Sequence, residues 1–218
     1  PPALDKKRKH TIEVIVDRLS VRDAWIEHAE IDLIARSREL RHEAQVVDLK
    51  DHERALVWIE GRFSHILSPG LYAFWTGFKD VRVEVIDARN VRFQHADFKA
   101  IVRSPQAAQL LDICSVERNH VGVAFVDGEY VETLPPGQYA WWRGVADAKV
   151  VQVDMREQAL DVSGQEIMTA DKVTLRMNAL VNYRVIDARK FVMVTDGAKQ
   201  SLYREAQLAL RAVVGTRD

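Results

Sequence analysis

Histidine and cysteine are the residue types of this chain that most readily bind metal ions or act as nucleophiles. The 218-residue chain has histidines at positions 10, 28, 42, 52, 65, 95 and 120, and no two stand four apart on a predicted helix beside a third ligand. It contains no HExxH, GxSxG or GxGxxG motif, and no nucleophile–base pair of a hydrolase is visible. Cys114 ends a predicted helix among apolar residues, which favours a small buried side chain over a reactive thiol. We therefore predict no catalytic residue, no metal site and no cofactor, and we expect that the protein is not an enzyme.

The charges of the chain are balanced. Lys and Arg number 31 and Asp and Glu number 32, for a formal net charge of -1, which argues against a general nucleic-acid binder. A single cysteine excludes an internal disulfide and favours a reducing compartment. No apolar run approaches the roughly 18 residues that span a bilayer, and no signal peptide is visible. Because the chain begins with Pro1 rather than Met, we expect a fragment or a processed product.

An acid–base pair recurs at a fixed distance along the chain. Asp87 and Arg89 are followed 67 residues later by Asp154 and Arg156, and recurrence in a repeated unit favours structural pairing over catalysis. The same offset relates LSPGLYAFWTG to LPPGQYAWWRG, WIEGRF to FVDGEY, and VRVEVIDAR to AKVVQVDMR. We therefore predict an internal duplication of about thirty-five residues, in which segments 55–89 and 122–156 have the same fold.

Each copy is predicted to be a small antiparallel β-meander. A short apolar run leads to an acidic residue and a glycine, which is a strong hairpin signal. A return strand, a Pro-Gly turn and an alternating strand follow. The residues at these repeated turns are Gly61, Pro69, Gly70, Gly128, Pro136 and Gly137.

Adjacent aromatic residues in the repeated segment raise the possibility of a contact surface. Trp141 and Trp142 point to opposite faces of an extended chain, so both cannot be core residues unless the chain bends. We expect one ring to be partly exposed at a loop tip, where tryptophan favours the bilayer interface. With Phe74, Trp75 and Phe78 of the first copy, they form a candidate membrane-contact or interface edge. The alternative is that these rings pack between the repeats.

The remaining segments are predicted as follows. An amphipathic helix over 24–42 either packs on the first repeat or links to a membrane surface or neighbouring protomer. A helical connector covers 97–115, with Ser104 as N-cap. Residues 173–185 alternate between apolar and polar side chains, which predicts a half-buried strand that Asp171-Lys172 turns back onto 161–169. A final helix is predicted to begin at Asp196-Gly197 and to end at Gly215.

Residues 121–218 resemble an SPFH (band 7) domain of the stomatin–prohibitin–flotillin family, and most closely the bacterial slipins. The resemblance rests on GVAFVDGEYVETLPPGQYAWW, DVSGQEIMTADKVTLRMNALVNYRV and REAQLALRAVVGTRD, and GQEIMTADKV (164–173) is its most specific part. The first copy, from about Glu43 to His95, resembles the extra amino-terminal unit of a longer slipin subgroup. The resemblance, which covers about residues 44–218, implies a non-enzymatic scaffold that forms homo-oligomers on the cytoplasmic face of a membrane. It also implies partners such as a membrane protease or an NfeD-like protein.

The chain departs from this family at both ends. It has no hydrophobic anchor ahead of the domain, and it stops where family members begin long coiled-coil helices. The resemblance therefore implies a peripheral protein, and we expect a monomer or small oligomer in solution.

The first 23 residues carry a second resemblance. PPALDKKRKHTIEVIVDRLSVRD resembles a segment of the DNA-damage recognition ATPase of excinuclease ABC, in the region with which that ATPase binds its B subunit. The chain lacks the P-loop and zinc-binding cysteines of that ATPase, so residues 1–23 are either a foreign junction or a DNA-repair fragment that engages the B subunit. The basic run from Lys6 to His10 is either a solvated tail or a contact for acidic lipid or nucleic acid, although we do not expect nucleic acid as a partner.

The predicted fold class is α+β, with two duplicated β-meander units and short helices packed on them. The second unit is part of the SPFH domain. The predicted division of the chain is a strand-like segment 1–23, a helix or linker 24–43, a first repeat 44–96, a helical connector 97–115 and a truncated SPFH domain 116–218.

Overall fold

A computed structural model describes residue 16 and residues 18–37, 42–194 and 197–217. The basic run from Lys6 to His10 and most of the strand predicted within residues 1–23 lie outside the described residues. So do residues 38–41 of the helix predicted over 24–42, and Asp196. The chain forms two compact units, Pro1–Ile86 and Asp87–Asp218.

The described residues of the first unit form five strands and one short helix. These are α1 (Ile31–Ile34), β1 (Ala44–Leu49), β2 (Glu53–Ile59), β3 (Arg62–Leu67), β4 (Gly70–Trp75) and β5 (Val81–Asp87). One sheet has the order β3-β2-β5. The strand β4 is not part of that sheet and pairs antiparallel with β1 in a second sheet. The two sheets share a core because apolar residues of both face inward. Its buried members are Val47, Leu49, Ala55, Val57, Leu67 and Phe74.

The second unit repeats this arrangement and then extends it. Its first part contains β6 (Arg92–Phe93), α2 (Phe98–Ile101), α3 (Ala107–Leu110), β7 (Leu111–Val116), β8 (His120–Val126), β9 (Glu129–Leu134), β10 (Gly137–Trp142) and β11 (Ala148–Asp154). The extension contains β12 (Gln158–Met168), β13 (Thr174–Tyr183), α4 (Ala188–Met193) and α5 (Ala198–Val214). The sheets have the orders β6-β10-β7, β11-β8-β9 and β12-β13.

The predicted duplication is confirmed. The bounds of β7 to β11 are those of β1 to β5 moved by 67 residues, and the strand pairings are the same. A β-bulge falls between Val57 and Trp58 in one copy and between Ala124 and Phe125 in the other. At the predicted hairpins, the acidic residue and the glycine both have positive φ, 52° and 70° in the first copy and 51° and 83° in the second.

The duplication is longer than the sequence pattern predicted. α2 lies 67 residues after α1, and the bridge between Trp25 and Phe74 has its counterpart in the pairing of Arg92 with Trp141. His28 Nδ1 accepts the backbone N–H of Glu30 at 3.0 Å, just as His95 Nδ1 accepts that of Asp97 at 2.9 Å. Each copy therefore spans about sixty-six residues, 24–89 and 91–156.

Two helix predictions are corrected by this longer repeat. Within the described residues, the helix expected over 24–42 is confined to α1, because Ile26 donates its N–H to Ala73 O (2.9 Å) and Trp25 bridges to Phe74. Tertiary pairing with β4 outweighs the helical spacing of the apolar residues. The connector expected over 97–115 contains α2, α3 and most of β7, and it is the equivalent part of the second copy.

The hairpin predicted near the carboxy terminus is confirmed, and the structure shows which of its strands the final helix packs against. β12 and β13 pair antiparallel, with a bulge between Val162 and Gln165 where Gly164 has φ 66°. The final helix forms as α5, and it packs against β12. The side chains of Met177, Ala179, Val181 and Tyr183 on the apolar face of β13 are partly buried, whereas Leu175 at the start of that face is exposed.

Candidate functional site

The aromatic edge predicted at Trp141 and Trp142 is buried. Trp141 is 4% exposed and Trp142 is 1% exposed, and Phe74 and Trp75 of the first copy are buried as well. The expectation of an exposed tryptophan is therefore wrong. The physical reason is that β10 is covered on both faces. Trp141 packs with a core around Val116, and the ring of Trp142 meets the edge of Phe93 at 5.0 Å.

Phe78 is the one residue of that predicted edge whose ring reaches solvent. It is 62% exposed in the turn between β4 and β5, and its counterpart Val145 is 36% exposed in the turn between β10 and β11. A contact of these two turns with a membrane remains a prediction.

The Pro-Gly turns hold a tyrosine against the backbone in both copies. Tyr72 donates its hydroxyl to Ser68 O at 2.9 Å, and Tyr139 donates to Pro135 O at 2.7 Å. A Cβ added at Gly137 would lie 3.3 Å from Tyr139 Oη, and the same distance applies at Gly70. A side chain at either glycine would therefore crowd the ring of the tyrosine two residues further on.

The repeated Asp–Arg pairs are surface ion pairs with bidentate geometry. Arg156 Nε donates to Asp154 Oδ1 at 2.9 Å and Nη2 donates to Oδ2 at 2.6 Å, and Arg89 holds Asp87 in the same way. Hydrogen bonds from the Arg156 side chain and backbone hold the pKa of Asp154 well below its usual range. Each pair spans two residues at the end of a strand and fixes the turn that follows.

The elements β12, β13, α4 and α5 form a carboxy-terminal lobe, and an apolar cleft lies between its strand β13 and its helix α5. It has a volume of about 660 Å³, which is in the range of small-ligand pockets. One wall is formed by Met177, Ala179 and Val181 of β13, and the other by apolar residues of α5 such as Leu202 and Val213. Among the described residues that line it, Glu205 alone is charged. The cleft is suited to apolar surface, not to acid–base or phosphate chemistry.

A buried glutamine of β12 links that strand to helix α5 by hydrogen bonds. Gln165 is 7% exposed and its Nε2 donates to Ser163 O at 3.0 Å and to Tyr203 Oη at 3.3 Å. Gln207 Nε2 in turn donates to Gln165 Oε1 at 2.9 Å. Sequence reasoning singled out GQEIMTADKV for its resemblance and missed this role. The sequence does contain a signal for this role. Gln165 is a polar residue at an inward position of β12, and Tyr203 and Gln207 are polar residues four apart on α5.

Within the described ranges, no group of three or more His, Cys, Asp and Glu side chains is placed to hold a metal ion. Among the helices of the described part, none is both long enough and apolar enough to cross a bilayer.

The fold and its surfaces define an α+β protein with a duplicated β unit and a strand–helix lobe. Residues 114–218 match the SPFH domain / Band 7 family. The chain is 42% identical over 67 residues to a stomatin homologue of Pyrococcus horikoshii, covering 31% of this chain and 25% of that protein. It is 35% identical over 69 residues to stomatin of Mus musculus, covering 32% and 24%. It is 36% identical over 94 residues to an uncharacterized protein of Archaeoglobus fulgidus, covering 43% and 37%.

These comparisons support the SPFH family and leave the finer predictions open. The chain spans between 24% and 37% of the length of those three relatives. They come from archaea and an animal, so the narrower assignment to bacterial slipins stays a prediction. The resemblance of residues 1–23 to the excinuclease ABC ATPase receives no support from them.

Proposed function

We propose that this protein is a non-enzymatic, membrane-associated scaffold of the stomatin type, which oligomerises and organises membrane proteins such as proteases. The observation that carries the proposal is the SPFH domain over residues 114–218, together with relatives that are named stomatins. Stomatin-family proteins are in general membrane-associated scaffolds without enzymatic activity. We place the chain at the cytoplasmic face, as a peripheral protein.

The surface of the carboxy-terminal lobe supports a role in binding rather than catalysis. Several large apolar side chains of this lobe are exposed, and groups of exposed apolar side chains mark interaction surfaces. They include Met168, Val173, Leu180, Ile186, Val194 and Val213, which are 50% to 86% exposed. We propose further copies of this protein, a membrane surface, and a membrane protease or an NfeD-like protein as partners.

Flotation with liposomes tests the membrane part of the proposal. The chain is mixed with vesicles of a neutral lipid alone or with an added anionic lipid, and the vesicles are then floated through a density gradient. We expect the chain to float with the vesicles. The matched variants are Phe78→Ser, at a turn that is 62% exposed, and Val131→Ser, at a β9 position that is 54% exposed. Recovery of the chain at the bottom of the gradient with both lipid compositions would contradict the proposal.

The variants locate the contact. If the turn between β4 and β5 meets the membrane, Phe78→Ser lowers flotation several-fold and Val131→Ser leaves it unchanged. Equal flotation of the wild type and both variants would show that this turn does not contact the membrane, although the chain still associates with it.

A further inference from the structure

Helix α5 is attached to its lobe along one polar edge. None of its seventeen residues, all of which the structure describes, is buried. The edge facing β12 is held by the hydrogen bonds that link Gln165 to Tyr203 and Gln207. Past the end of α5, Arg217 O accepts the backbone N–H of Ala170 at 3.0 Å, which ties the helix end to the turn between β12 and β13.

The neighbouring edge of α5 is apolar and faces an equally apolar wall. Across the cleft from Met177, Ala179 and Val181, the helix presents apolar side chains that include Ala206 and Val213. Val213 is 59% exposed. Apolar surface on both sides of a solvent-accessible cleft is unfavourable, because burial of apolar surface is favourable. Closing the cleft would therefore release free energy that the open position does not use.

The two ends of α5 differ in how much backbone rotation they permit. Gly197, its N-cap, has φ 74°, and Gly215 is its C-cap. A Cβ added at Gly215 would lie 2.8 Å from Arg211 O, so this tight end requires glycine. The carboxy-terminal end is therefore the fixed end of the helix, and Gly197 is the end at which small backbone rotations meet few steric limits.

We propose that α5 is a strap with two positions. In the open position, polar contacts hold it on β12 and the cleft is accessible. In the closed position the helix rolls about that edge, and its apolar stripe lies on Met177, Ala179 and Val181. Alanines at 179 and 206 permit a close approach of strand and helix.

The closed strap has a consequence for partners of the protein. Its own helix then fills the cleft, so a partner that binds there must compete with α5. This consequence rests on the proposed function, whereas the two positions of α5 do not.

Thiol labelling measures the two positions directly. In a Cys114→Ser background, which removes the only cysteine, a single cysteine is placed at Val213 or at Leu208. These positions are 59% and 58% exposed. Leu208 lies about 140° around the helix from Val213 at about 100° per residue, away from the cleft lining. Each maleimide labelling rate is divided by the rate of the same variant unfolded in guanidinium.

The strap predicts a difference that a fixed helix does not. We expect V213C to label at least threefold more slowly than L208C, because the closed position hides only residue 213. Adding Gln207→Ala, which removes a hydrogen bond of the open position, should slow V213C further and leave L208C unchanged. Equal rates for the two sites, or faster labelling of both in the Gln207→Ala background, would overturn the proposal. If Gln207→Ala does not fold, the comparison of V213C with L208C alone decides. Flotation on liposomes is measured separately, so failure of the strap and failure of the proposed function are distinguishable.

Discussion

Arg92 donates from Nη1 to both carboxylate oxygens of Glu132, at 2.5 and 2.7 Å, across the second unit. The residues at the same two positions of the first unit are Trp25 and His65, whose rings meet edge to face at 5.2 Å. The two copies therefore have different contacts at these positions, an aromatic contact in the first and an ion pair in the second. Tyr72 and Tyr139 are retained beside them, since Trp25 packs on Tyr72 at 5.5 Å and Arg92 lies over the ring of Tyr139 at 5.1 Å.

This exchange predicts a measurable coupling between Arg92 and Glu132. The two side chains are 32% and 33% exposed, so solvent screening limits what the pair contributes. We expect a double-mutant cycle with Arg92→Met and Glu132→Gln to give a coupling free energy of about 1 kcal/mol, falling with added salt. Urea denaturation provides the free energies of unfolding. A coupling that is zero, or that does not respond to salt, would show that the pair contributes no electrostatic stabilisation.

Equivalent tryptophans differ in one hydrogen bond. Trp75 Nε1 donates to Ser20 O at 3.0 Å, whereas Nε1 of the buried Trp142 has no hydrogen-bond partner among the described residues. Replacement by phenylalanine removes similar ring volume at both sites. We therefore expect Trp75→Phe to be more destabilising than Trp142→Phe by about 1 kcal/mol, the net contribution of one hydrogen bond. Thermal unfolding of the two variants checks this, and a larger loss for Trp142→Phe would contradict it.

Gly122 occupies a place where the second unit has no room for a side chain. A Cβ there would lie 2.8 Å from Val116 Cγ2 and 2.9 Å from Val150 Cγ1. The first unit has Ala55 at the same position, where Leu49, which is not branched at Cβ, replaces Val116. We expect Gly122→Ala to cost about 1–3 kcal/mol of stability through overpacking.

The neighbouring valine provides the control for that prediction. In the double variant Gly122→Ala with Val116→Ala, the contact with Val116 Cγ2 is removed and the one with Val150 Cγ1 remains. The Val116→Ala substitution should therefore cost less in the Gly122→Ala background than in the wild type. The signature is a favourable interaction free energy in urea denaturation. Simple additivity of the two substitutions would argue against the clash.

The Asp154–Arg156 pair predicts a particular dependence of stability on pH. The pKa of Asp154 is lowered in the folded chain by hydrogen bonds from Arg156, so the folded state favours the ionised carboxylate. Its stabilisation is present above the pKa of an unfolded aspartate, about 3.9, and is lost as the pH falls towards the lower folded value. We expect Asp154→Asn to lower the melting temperature at pH 7 and to lower it less at pH 3.

An exposed aspartate elsewhere in the same unit serves as the comparison. Asp161→Asn, on β12, should not show a deficit that shrinks in acid. If Asp154→Asn lowers the melting temperature equally at pH 7 and pH 3, the stabilisation by the pair does not depend on the charge of Asp154.

The hairpins, turns and duplicated strands could be predicted because they depend on local signals. The acidic residue before Gly61 and the Pro-Gly step at Gly137 specify turns from short-range backbone preferences alone. The burial of Trp141 and Trp142 could not be predicted in this way, because it depends on β10 lying between two packed layers. The extended start at Trp25 likewise depends on pairing with β4, which the helical spacing of its neighbours does not reveal.

The sequence also indicates the full length of the duplication, through matches at the same offset that lie ahead of residue 55. His28-Ala29 matches His95-Ala96 at the offset of 67, and Arg36-Ser37 matches Arg103-Ser104, but most of the residues between these two matches differ. The apolar cleft was hidden for another reason. The alternation of β13 predicts an apolar face, and the packing of α5 on β12 leaves a cleft along that face.

Chemical cross-linking on liposomes tests the central claim, a membrane-associated scaffold, most directly. The chain is floated with vesicles, treated with an amine-reactive cross-linker and separated by denaturing electrophoresis, with the chain in free solution as the control. We predict a ladder of multimers, spaced by the mass of one chain, that is enriched in the floated fraction. A floated fraction that contains only monomer would contradict assembly on the membrane, and absence of the chain from that fraction would contradict membrane association itself.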